Sequence, residues 1–283
     1  MEDVAPKLLD EIKKDFDKRT AKNKYISSYL NRLKDGKVTF TDTQKYTSEL
    51  GKELGESLSN VLKLDNLPDE KLYWNIAERT IKPMYKDVNE TVNLSAEATQ
   101  KILDLDDGIG LNAIKPELEE DRVKGILEAV TKDGLKDDEL NAMLKMYTQN
   151  LTDHFFDKFI EENAGFRDSA GLQPIVTRRT KGRKSCEWCK EKEGVYTYKE
   201  AQKNDIFRRH TDCRCVITYE TNGKKETLAQ MMTYKEKKEK EEKAIQERKA
   251  RQALRAGENK KLAKERSKAK QAKIKQLKEN AEK

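Results

Sequence analysis

The pattern of apolar and polar positions divides the chain into three parts. Up to Gly165, apolar residues recur every three or four positions, which is the spacing of helices that bury one face. Residues 174–220 hold short runs in which β-branched and aromatic residues alternate with polar ones, as in short strands. The pattern predicts a mainly α-helical chain: a helical body over 1–173, a small α+β module over 174–220, and a charged tail over 221–283 that forms a long helix or is disordered.

Polar caps and prolines mark the expected starts of the body helices. We expect Thr41 and Asp42 to cap one helix, and Pro68 and Pro116 to open the next two at their first turns. Pro83 should bend or stop the helix that Pro68 opens. The expected inward positions of these three helices are Leu50, Leu54, Leu58, Val61 and Leu62; Leu72, Ile76, Ile81, Tyr85 and Val88; and Leu118, Ile126, Leu127 and Val130, with Trp74 also in the core.

The clearest helix of the body comes last. Gly134 should break the preceding helix, and Asp137 and Asp138 favour a new start because acidic residues stabilise a helix N-terminus. The helix is expected to end near Gly165. Its apolar positions are Leu140, Met143, Leu144, Tyr147, Leu151, Phe155 and Phe159.

The module is expected to combine short strands with a short helix. QPIVTRRTKGRKS contains a β-branched run, and GVYTYKEA and CRCVITYE alternate as strands do, while KEAQKND between them suits one or two helical turns. A unit of roughly 45 residues is too small to be stable on its own core without a staple.

The net charge of +7 conceals a strong asymmetry along the chain. The body carries a net charge of −9, the module +5 and the tail +11. This distribution suggests contact with polyanions at the C-terminal end. Because no groove-reading motif accompanies the basic tail, we expect it to bind double-stranded DNA without sequence preference, through phosphates. The expected nucleic-acid-binding residues are Lys260, Lys261, Lys264, Arg266, Lys268 and Lys270.

The N-terminal sequence and the absence of long apolar runs bear on the compartment. Residues 1–20 mix charged residues with a few apolar ones, which argues against a signal peptide, and no segment has the length and apolarity of a membrane span. We therefore expect a protein that is kept in a cytosol and has no membrane partner. Thiols stay reduced there, so clustered cysteines favour metal binding or catalysis over disulfides.

All four cysteines and one of the two histidines lie close together in the module. Cys186 and Cys189 form a C-x-x-C turn that can chelate one ion, and Cys213 and Cys215 supply a second pair. Structural zinc takes four nitrogen or sulfur ligands in tetrahedral geometry. The spacing predicts one structural zinc ion bound by Cys186, Cys189, Cys215 and a fourth ligand, for which Cys213 is favoured over His210. In a strand, the side chains of Cys213 and Cys215 would point to the same side, so one metal ion could contact both.

Neighbouring side chains fit the same interpretation. Trp188 would cover the metal site or face a partner. The basic residues expected to offset the charge of several thiolates are Arg183, Lys184, Arg208, Arg209 and Arg214. The alternatives are four incidental cysteines or a disulfide-stapled module.

The sequence lacks the full residue set of three kinds of catalysis that use such residues. A zinc deaminase needs His-x-Glu ahead of Pro-Cys-x-x-Cys, and here the histidine follows the first cysteine pair without that glutamate. A cysteine hydrolase needs a thiol free of metal and a histidine base. A metal-dependent nuclease with His210 as base lacks a second histidine or acidic motif nearby. We therefore expect a structural protein and not an enzyme, with the nuclease as the alternative.

The module resembles a known family. The matching residues are Cys186, Cys189, Gly194, Val195, Tyr196, His210, Cys213, Arg214, Cys215 and Val216. In this order and spacing they resemble the minor head protein family of tailed bacteriophages, also called the head-morphogenesis family, in its phage Mu F-like module. The resemblance covers roughly residues 174–220. Family members often have proline after the histidine, where this chain has Thr211.

The resemblance implies a minor capsid protein that acts in head morphogenesis near the portal. It implies portal and head proteins as partners, a location in the virion head and, during assembly, in the host cytoplasm, and in some members delivery with the DNA. A nucleic-acid-binding adaptor unrelated to phage is the further alternative.

Two other features were considered as binding sites. Asp104 to Gly110, DLDDGIG, partly matches a calcium loop, but its glycine comes one position early and Lys115 stands where the last ligand should be. We expect an ordinary loop there. His154 lies beside the apolar stripe of the last body helix and is expected to be a packed or surface histidine.

Overall fold

A computed structural model describes residues 3–180, 185–211, 213–221 and position 246. By its contacts the chain divides into Met1–Met231 and Met232–Lys283, and the elements below all belong to the first unit. The helices are α1 (Ala5–Lys22), α2 (Lys24–Lys34), α3 (Phe40–Val61), α4 (Trp74–Asp107), α5 (Glu120–Val130), α6 (Asp137–Ser169), α7 (Glu187–Glu191) and α8 (Tyr198–Lys203). The strands are β1 (Ile175–Arg179), β2 (Gly194–Thr197) and β3 (Val216–Glu220).

The described part is thus mainly helical with a small α+β module, as the sequence pattern predicts. The expected helical or disordered tail lies outside the described residues. Among the helices that are described, none has the length and apolarity needed to cross a membrane.

The body is built around a close crossing of α3 and α6, which pack together more extensively than any other pair of elements. Two glycines on α3 allow this approach. A Cβ added at Gly51 would lie 2.8 Å from the Thr152 Cβ, and one added at Gly55 would lie 3.0 Å from the Lys145 Cα. Leu54 and Leu58, on the same helix, are fully buried. The glycines therefore set the distance between the helices, and the leucines fill the core beside them.

The N-cap of α3 lies two residues before the first of the two residues that were expected to cap it. Thr39, and not Thr41, is the N-cap residue: its hydroxyl accepts from the Asp42 backbone N–H (3.3 Å), and the Asp42 carboxylate accepts from the Thr39 N–H (3.0 Å). Asp42 is therefore the third residue of a capping box and not the cap itself. Arg32 holds the same carboxylate at 2.8 Å, which ties α2 to the start of α3.

The long helix α4 differs from prediction at both prolines. Pro68 opens a single 3-10 turn, Pro68–Glu70, and the helix begins at Trp74. It then continues through Pro83 to Asp107. Buried side chains on both sides of Pro83, including Ile81 and Tyr85, hold the backbone against the core, and this packing outweighs the one hydrogen bond that proline cannot donate. Trp74 is 37% exposed, so its predicted place in the core is wrong.

The last two body helices also begin or end away from their predicted boundaries. α5 starts at Glu120 and not at Pro116. Gly134 adopts φ +77° between α5 and α6, as a helix break there requires. α6 continues through Gly165 and ends at Ser169. Gly165 does not end the helix; it makes room for a neighbouring side chain, since a Cβ there would lie 2.5 Å from the Tyr198 hydroxyl oxygen.

The module forms a three-stranded antiparallel sheet in the order β2-β1-β3. Val176, on the central strand, pairs with Tyr196 on one side and with Tyr219 on the other. The strands and the short α8 between β2 and β3 confirm the expected α+β character of this segment.

The sheet shares one core with the helical body. Val176 and Tyr219 are buried in the same apolar cluster as the body helices. The Tyr219 ring packs against Phe40 with centroids 4.9 Å apart, and its hydroxyl hydrogen-bonds the Gln100 amide at 2.7 Å. The body surface therefore supports the module, and a staple is not its sole source of stability.

Candidate metal centre

The five predicted ligand residues come together at one end of the module. Their ligand atoms form two triads, each with all atoms within 4.8 Å of one another. The first contains Cys186, Cys189 and His210, and the second contains Cys189, Cys213 and Cys215. Cys189 belongs to both, so the two cysteine pairs and the histidine form one continuous cluster. All four cysteines are free thiols, which is not the arrangement of a disulfide-stapled module.

The first cysteine pair is held by a helical turn. Cys186 is the N-cap residue of α7, and its sulfur accepts from the Cys189 backbone N–H at 3.4 Å. The Cys186 side chain is exposed whereas Cys189 is buried. A C-x-x-C segment folded in this way points both sulfurs to the same side, as chelation of one ion requires.

His210 presents one ring nitrogen to these sulfurs. Its Nε2 lies 3.2 Å from the Cys186 Sγ and 2.9 Å from the Cys189 Sγ. Its Nδ1 lies 2.5 Å from the Thr211 carbonyl oxygen, so the proton of a neutral ring belongs on Nδ1 and the Nε2 lone pair faces the thiols. An imidazole oriented by a carbonyl in this way is typical of a metal-binding histidine.

The second cysteine pair lies just before β3. The sequence analysis placed Cys213 and Cys215 in a strand, but β3 begins only at Val216. Both sulfurs nevertheless reach the cluster, and the Cys213 Sγ lies 3.6 Å from the Cys189 Sγ. A hydrogen bond from Cys215 and the positive charges of Arg209 and Arg178 hold the pKa of Cys213 well below that of a free thiol.

Two buried arginines flank the cluster. The Arg178 guanidinium donates to the Cys213 sulfur at 3.6 Å and to the Cys189 sulfur at 4.0 Å, and stacks over Trp188 at 5.0 Å from the ring centroid. Trp188 in turn meets the His210 ring edge-on at 5.4 Å. Trp188 thus covers one side of the site, which is one of the two roles expected for it.

The second arginine, Arg209, ties residues 208–215, called the ligand loop below because they carry His210 and the second cysteine pair, to the helical body. Arg209 donates to the carbonyl oxygens of Cys213 (3.2 Å) and Cys215 (2.8 Å), and its guanidinium forms a two-pronged ion pair with Asp157 of α6. Asn150, also on α6, donates to the His210 carbonyl oxygen at 3.0 Å. The ligand loop is therefore held from behind by side chains of the body.

The basic residues that were expected to offset the thiolate charge lie in different places relative to the cluster. Arg209 is buried beside it, and Arg214 lies 4.0 Å from Asp153. Arg208 is exposed and contributes only its carbonyl oxygen, which accepts from Arg178. Arg183 and Lys184 lie outside the described residues.

Sequence reasoning missed Arg178 and Asp157. Both carried a usable signal. Arg178 is two residues after the buried Val176 in a strand, so it shares the inward face. Asp157 is four residues after Asp153 on the apolar stripe of α6, and two carboxylates on a buried face require cationic partners.

The candidate residues outside the cluster do not form a second site. Asp104 belongs to the last turn of α4, and its carboxylate pairs with the buried Arg167 at 2.7 Å, so the partial calcium motif is helical up to Asp107 and forms the expected loop only over 108–110. The His154 Nε2 lies 2.9 Å from the Glu119 carboxylate, which accepts its hydrogen bond, and the ring packs on α6, as expected for a packed histidine. The six residues of the expected DNA-binding tail, Lys260 to Lys270, lie outside the described residues.

The donor set fits a tetrahedral metal. With Zn–S near 2.3 Å and Zn–N near 2.0 Å, tetrahedral geometry separates two sulfurs by about 3.8 Å and a sulfur and a nitrogen by about 3.5 Å. The measured separations, 3.6 Å for Cys189–Cys213, 3.2 Å for Cys186–His210 and 2.9 Å for Cys189–His210, are shorter than these values. Among the described residues the ligand atoms lie within 4.8 Å of one another three at a time, so four ligands on one ion require the two triads to draw together around Cys189. The Cys/His cluster could therefore hold a metal ion. Comparisons of the chain with protein-family models, curated proteins and solved structures found no match.

Proposed function

We propose that this protein is a zinc-stapled structural protein of a tailed-phage head, with the cluster as its zinc site. The observation that carries the zinc proposal is the convergence of four thiols and an oriented imidazole within one small cluster. Thiolate-rich four-ligand sites are typical of structural zinc, whereas catalytic sites keep one position for water or substrate. The minor head role rests on the family resemblance of the module.

The ligands we propose are Cys186, Cys189, His210 and one sulfur of the pair Cys213 and Cys215. His210 enters the set because its Nε2 lies within 3.2 Å of two sulfurs and its Nδ1 is held by a carbonyl. This differs from the sequence expectation, which favoured Cys213 over His210 for the fourth position. Only one of the last two cysteines is then needed as a thiolate.

Elemental analysis of the full-length protein tests the metal. Protein purified without added metal should contain one zinc per chain, and Cys189→Ser should lose it, because Cys189 belongs to both triads. Cys213→Ser and Cys215→Ser should differ, since only one of these thiolates is required. A metal-free wild-type protein with the same fold would contradict the proposal.

The head role and the tail need separate tests. Mass spectrometry of purified particles, before and after DNA release, should detect the chain in the virion if it is a minor head protein. Deleting 221–283 should abolish duplex binding if the tail contacts phosphates. With about six charges engaged, a fourfold rise in salt should weaken binding by roughly a thousandfold. Binding that survives the deletion would locate DNA contact elsewhere.

The nuclease alternative uses the same histidine. Both ring nitrogens of His210 are already engaged, one by a carbonyl and one by thiols, which favours a ligand over a general base. A plasmid-nicking assay with added magnesium or manganese tests it: nicking that is lost in His210→Ala while zinc is retained would replace the structural assignment.

A further inference from the structure

Within the described part of the chain, the buried charges are paired with one exception. Three arginines and three aspartates are the buried charged side chains of the described residues: Arg167, Arg178, Arg209, Asp104, Asp153 and Asp157. Arg167 pairs with Asp104 and Arg209 with Asp157, while Asp153 lies 3.8 Å from Arg209 and 4.0 Å from the partly exposed Arg214. A buried charge without a counter-charge is costly, so each of these pairs is expected.

Arg178 is the exception. Its Nη1 donates to the carbonyl oxygens of Ile206 and Arg208 (2.8 Å for the latter), and its Nη2 faces the sulfurs of Cys189 and Cys213. In the part of the chain that the structure describes, it forms no ion pair with a carboxylate. Carbonyls are neutral, so they do not balance a fully buried guanidinium. Among the described residues, the sulfurs are the only groups in contact with the guanidinium that can carry negative charge; Asp157 also interacts with Arg178 electrostatically, but its carboxylate is already bound by Arg209.

We infer that Arg178 is the counter-ion of an anionic metal centre that carries one net negative charge. This inference rests on the proposed zinc site. A zinc ion with three thiolates and a neutral imidazole has a net charge of −1, and one guanidinium neutralises it. Four thiolates would give −2 and leave one charge unbalanced. The charge balance therefore supports His210 as the fourth ligand and assigns Arg178 a role in metal binding.

A set of variants of the full-length protein tests this role. Arg178→Met keeps the length and apolar stem of the side chain but removes the charge. It should lower zinc affinity about 10- to 100-fold, the usual effect of losing a group that contacts metal ligands. Arg178→Lys should retain more affinity because it keeps the charge. Arg208→Met, at the exposed neighbouring arginine, is the matched control and should bind zinc as the wild type does. Affinity is measured by competition with a chromophoric chelator.

A double-mutant cycle separates charge from packing. Cys186→His replaces an exposed thiolate and makes the proposed centre neutral. Arg178→Met should then cost much less affinity in this background than in the wild type. An equal loss in the two backgrounds, within a factor of about two, would mean that Arg178 acts through packing and would overturn the inference.

Cobalt substitution supplies an independent readout. Sulfur-to-cobalt charge-transfer absorption should indicate three thiolates in the wild type and two in Cys186→His. A four-thiolate spectrum would overturn the charge balance while leaving metal binding in place. A wild-type protein that binds neither zinc nor cobalt would instead refute the proposed metal site, and the role of Arg178 with it. Circular dichroism of metal-free Arg178→Met and Arg178→Lys checks that both variants fold.

Discussion

The interior of the helical body and the surroundings of the Cys/His cluster differ in the polar groups that they bury, although the body also contains one buried ion pair, Arg167 with Asp104. In the body, neutral hydroxyls satisfy one another: Tyr29, Thr43 and Thr99 form a hydrogen-bonded trio, and Tyr85 bonds Thr148 at 2.9 Å. Beside the cluster the buried groups are thiols and guanidinium ions. The difference indicates that the surroundings of the cluster depend more on matched charges than the interior of the body does.

The contrast has an energetic consequence. Removing one neutral hydrogen bond in a core costs about 1 kcal/mol, but leaving a buried charge unpaired costs several times more. Changes at the cluster and its arginines should therefore have larger effects than polar changes inside the body.

Metal removal should give the largest effect. Binding of structural zinc contributes about 10–16 kcal/mol in small zinc modules. A strong chelator should therefore release the two ligand segments, 185–191 and 208–215, while β1, α8 and β3 stay in place because Val176, Ala201 and Tyr219 belong to the shared core. Limited proteolysis with mass spectrometry should locate new cleavage within these two segments, with the body helices intact. Cleavage spread through α3 and α6 would mean that the two regions do not differ in this way.

The ion pair between Arg209 and Asp157 should give the next largest effect. Both side chains are buried, and Arg209 also holds two ligand-loop carbonyls. Asp157→Asn removes the nearer of the two carboxylates that face Arg209 and leaves Asp153 at 3.8 Å, so it should lower the free energy of unfolding by about 3 kcal/mol, the lower end of the cost of breaking a buried pair. Urea denaturation measures it.

The matched control for this change replaces both partners. A double variant, Arg209→Met with Asp157→Leu, removes the pair without leaving a lone charge and should cost less than Asp157→Asn alone. If the single and double variants lose equal stability, charge compensation is not what holds this interface.

The stability of the protein should be sensitive to side-chain volume at the crossing of α3 and α6. Gly51→Ala places a Cβ 2.8 Å from the Thr152 Cβ, so the helices must separate, and overpacking of this kind costs about 1–3 kcal/mol. Gly125 is the control, since a Cβ there meets nothing within 4 Å on the exposed side of α5. Gly125→Ala should stabilise by about 0.5–1 kcal/mol through helix propensity. A lower melting temperature for Gly51→Ala and a higher one for Gly125→Ala, each relative to the wild type, would confirm that close packing controls the stability of this crossing.

The sequence predicted more of the fold than of the site. Helical periodicity identified the body helices because their apolar faces are regular, and the C-x-x-C and C-x-C pairs identified the cluster. Helix ends were less predictable: Pro83 sits inside α4 because tertiary packing overrides a local preference. The pairing of Arg209 with Asp157 joins residues that are far apart in sequence, so no local pattern contains it.

The orientation of His210 shows the same limit. Spacing alone left Cys213 and His210 open as the fourth ligand and favoured Cys213 through an expected strand. The strand starts at Val216, and a backbone carbonyl orients the imidazole toward the thiols. Only the folded backbone supplies that information.

The smallest expected effect is a pH dependence at the surface of the body. The hydrogen bond from His154 lowers the pKa of Glu119 to about 2, and burial lowers the pKa of His154. The ring is therefore neutral at pH 7, with Nε2–H donating to the carboxylate. Glu119 has a depressed folded-state pKa, so its contribution is present above pH 4.5 and is lost as the pH falls toward 2. The pair is partly exposed, and its contribution should stay below about 1 kcal/mol. Urea midpoints of the wild type and Glu119→Gln should therefore differ at pH 6 and converge between pH 4.5 and 2.

Glu162 is the control of opposite sign, because burial raises its pKa. Glu162→Gln should gain stability relative to the wild type as the pH rises. Midpoints of Glu119→Gln that stay parallel to those of the wild type over this range would show that the contact with His154 does not stabilise the charged carboxylate.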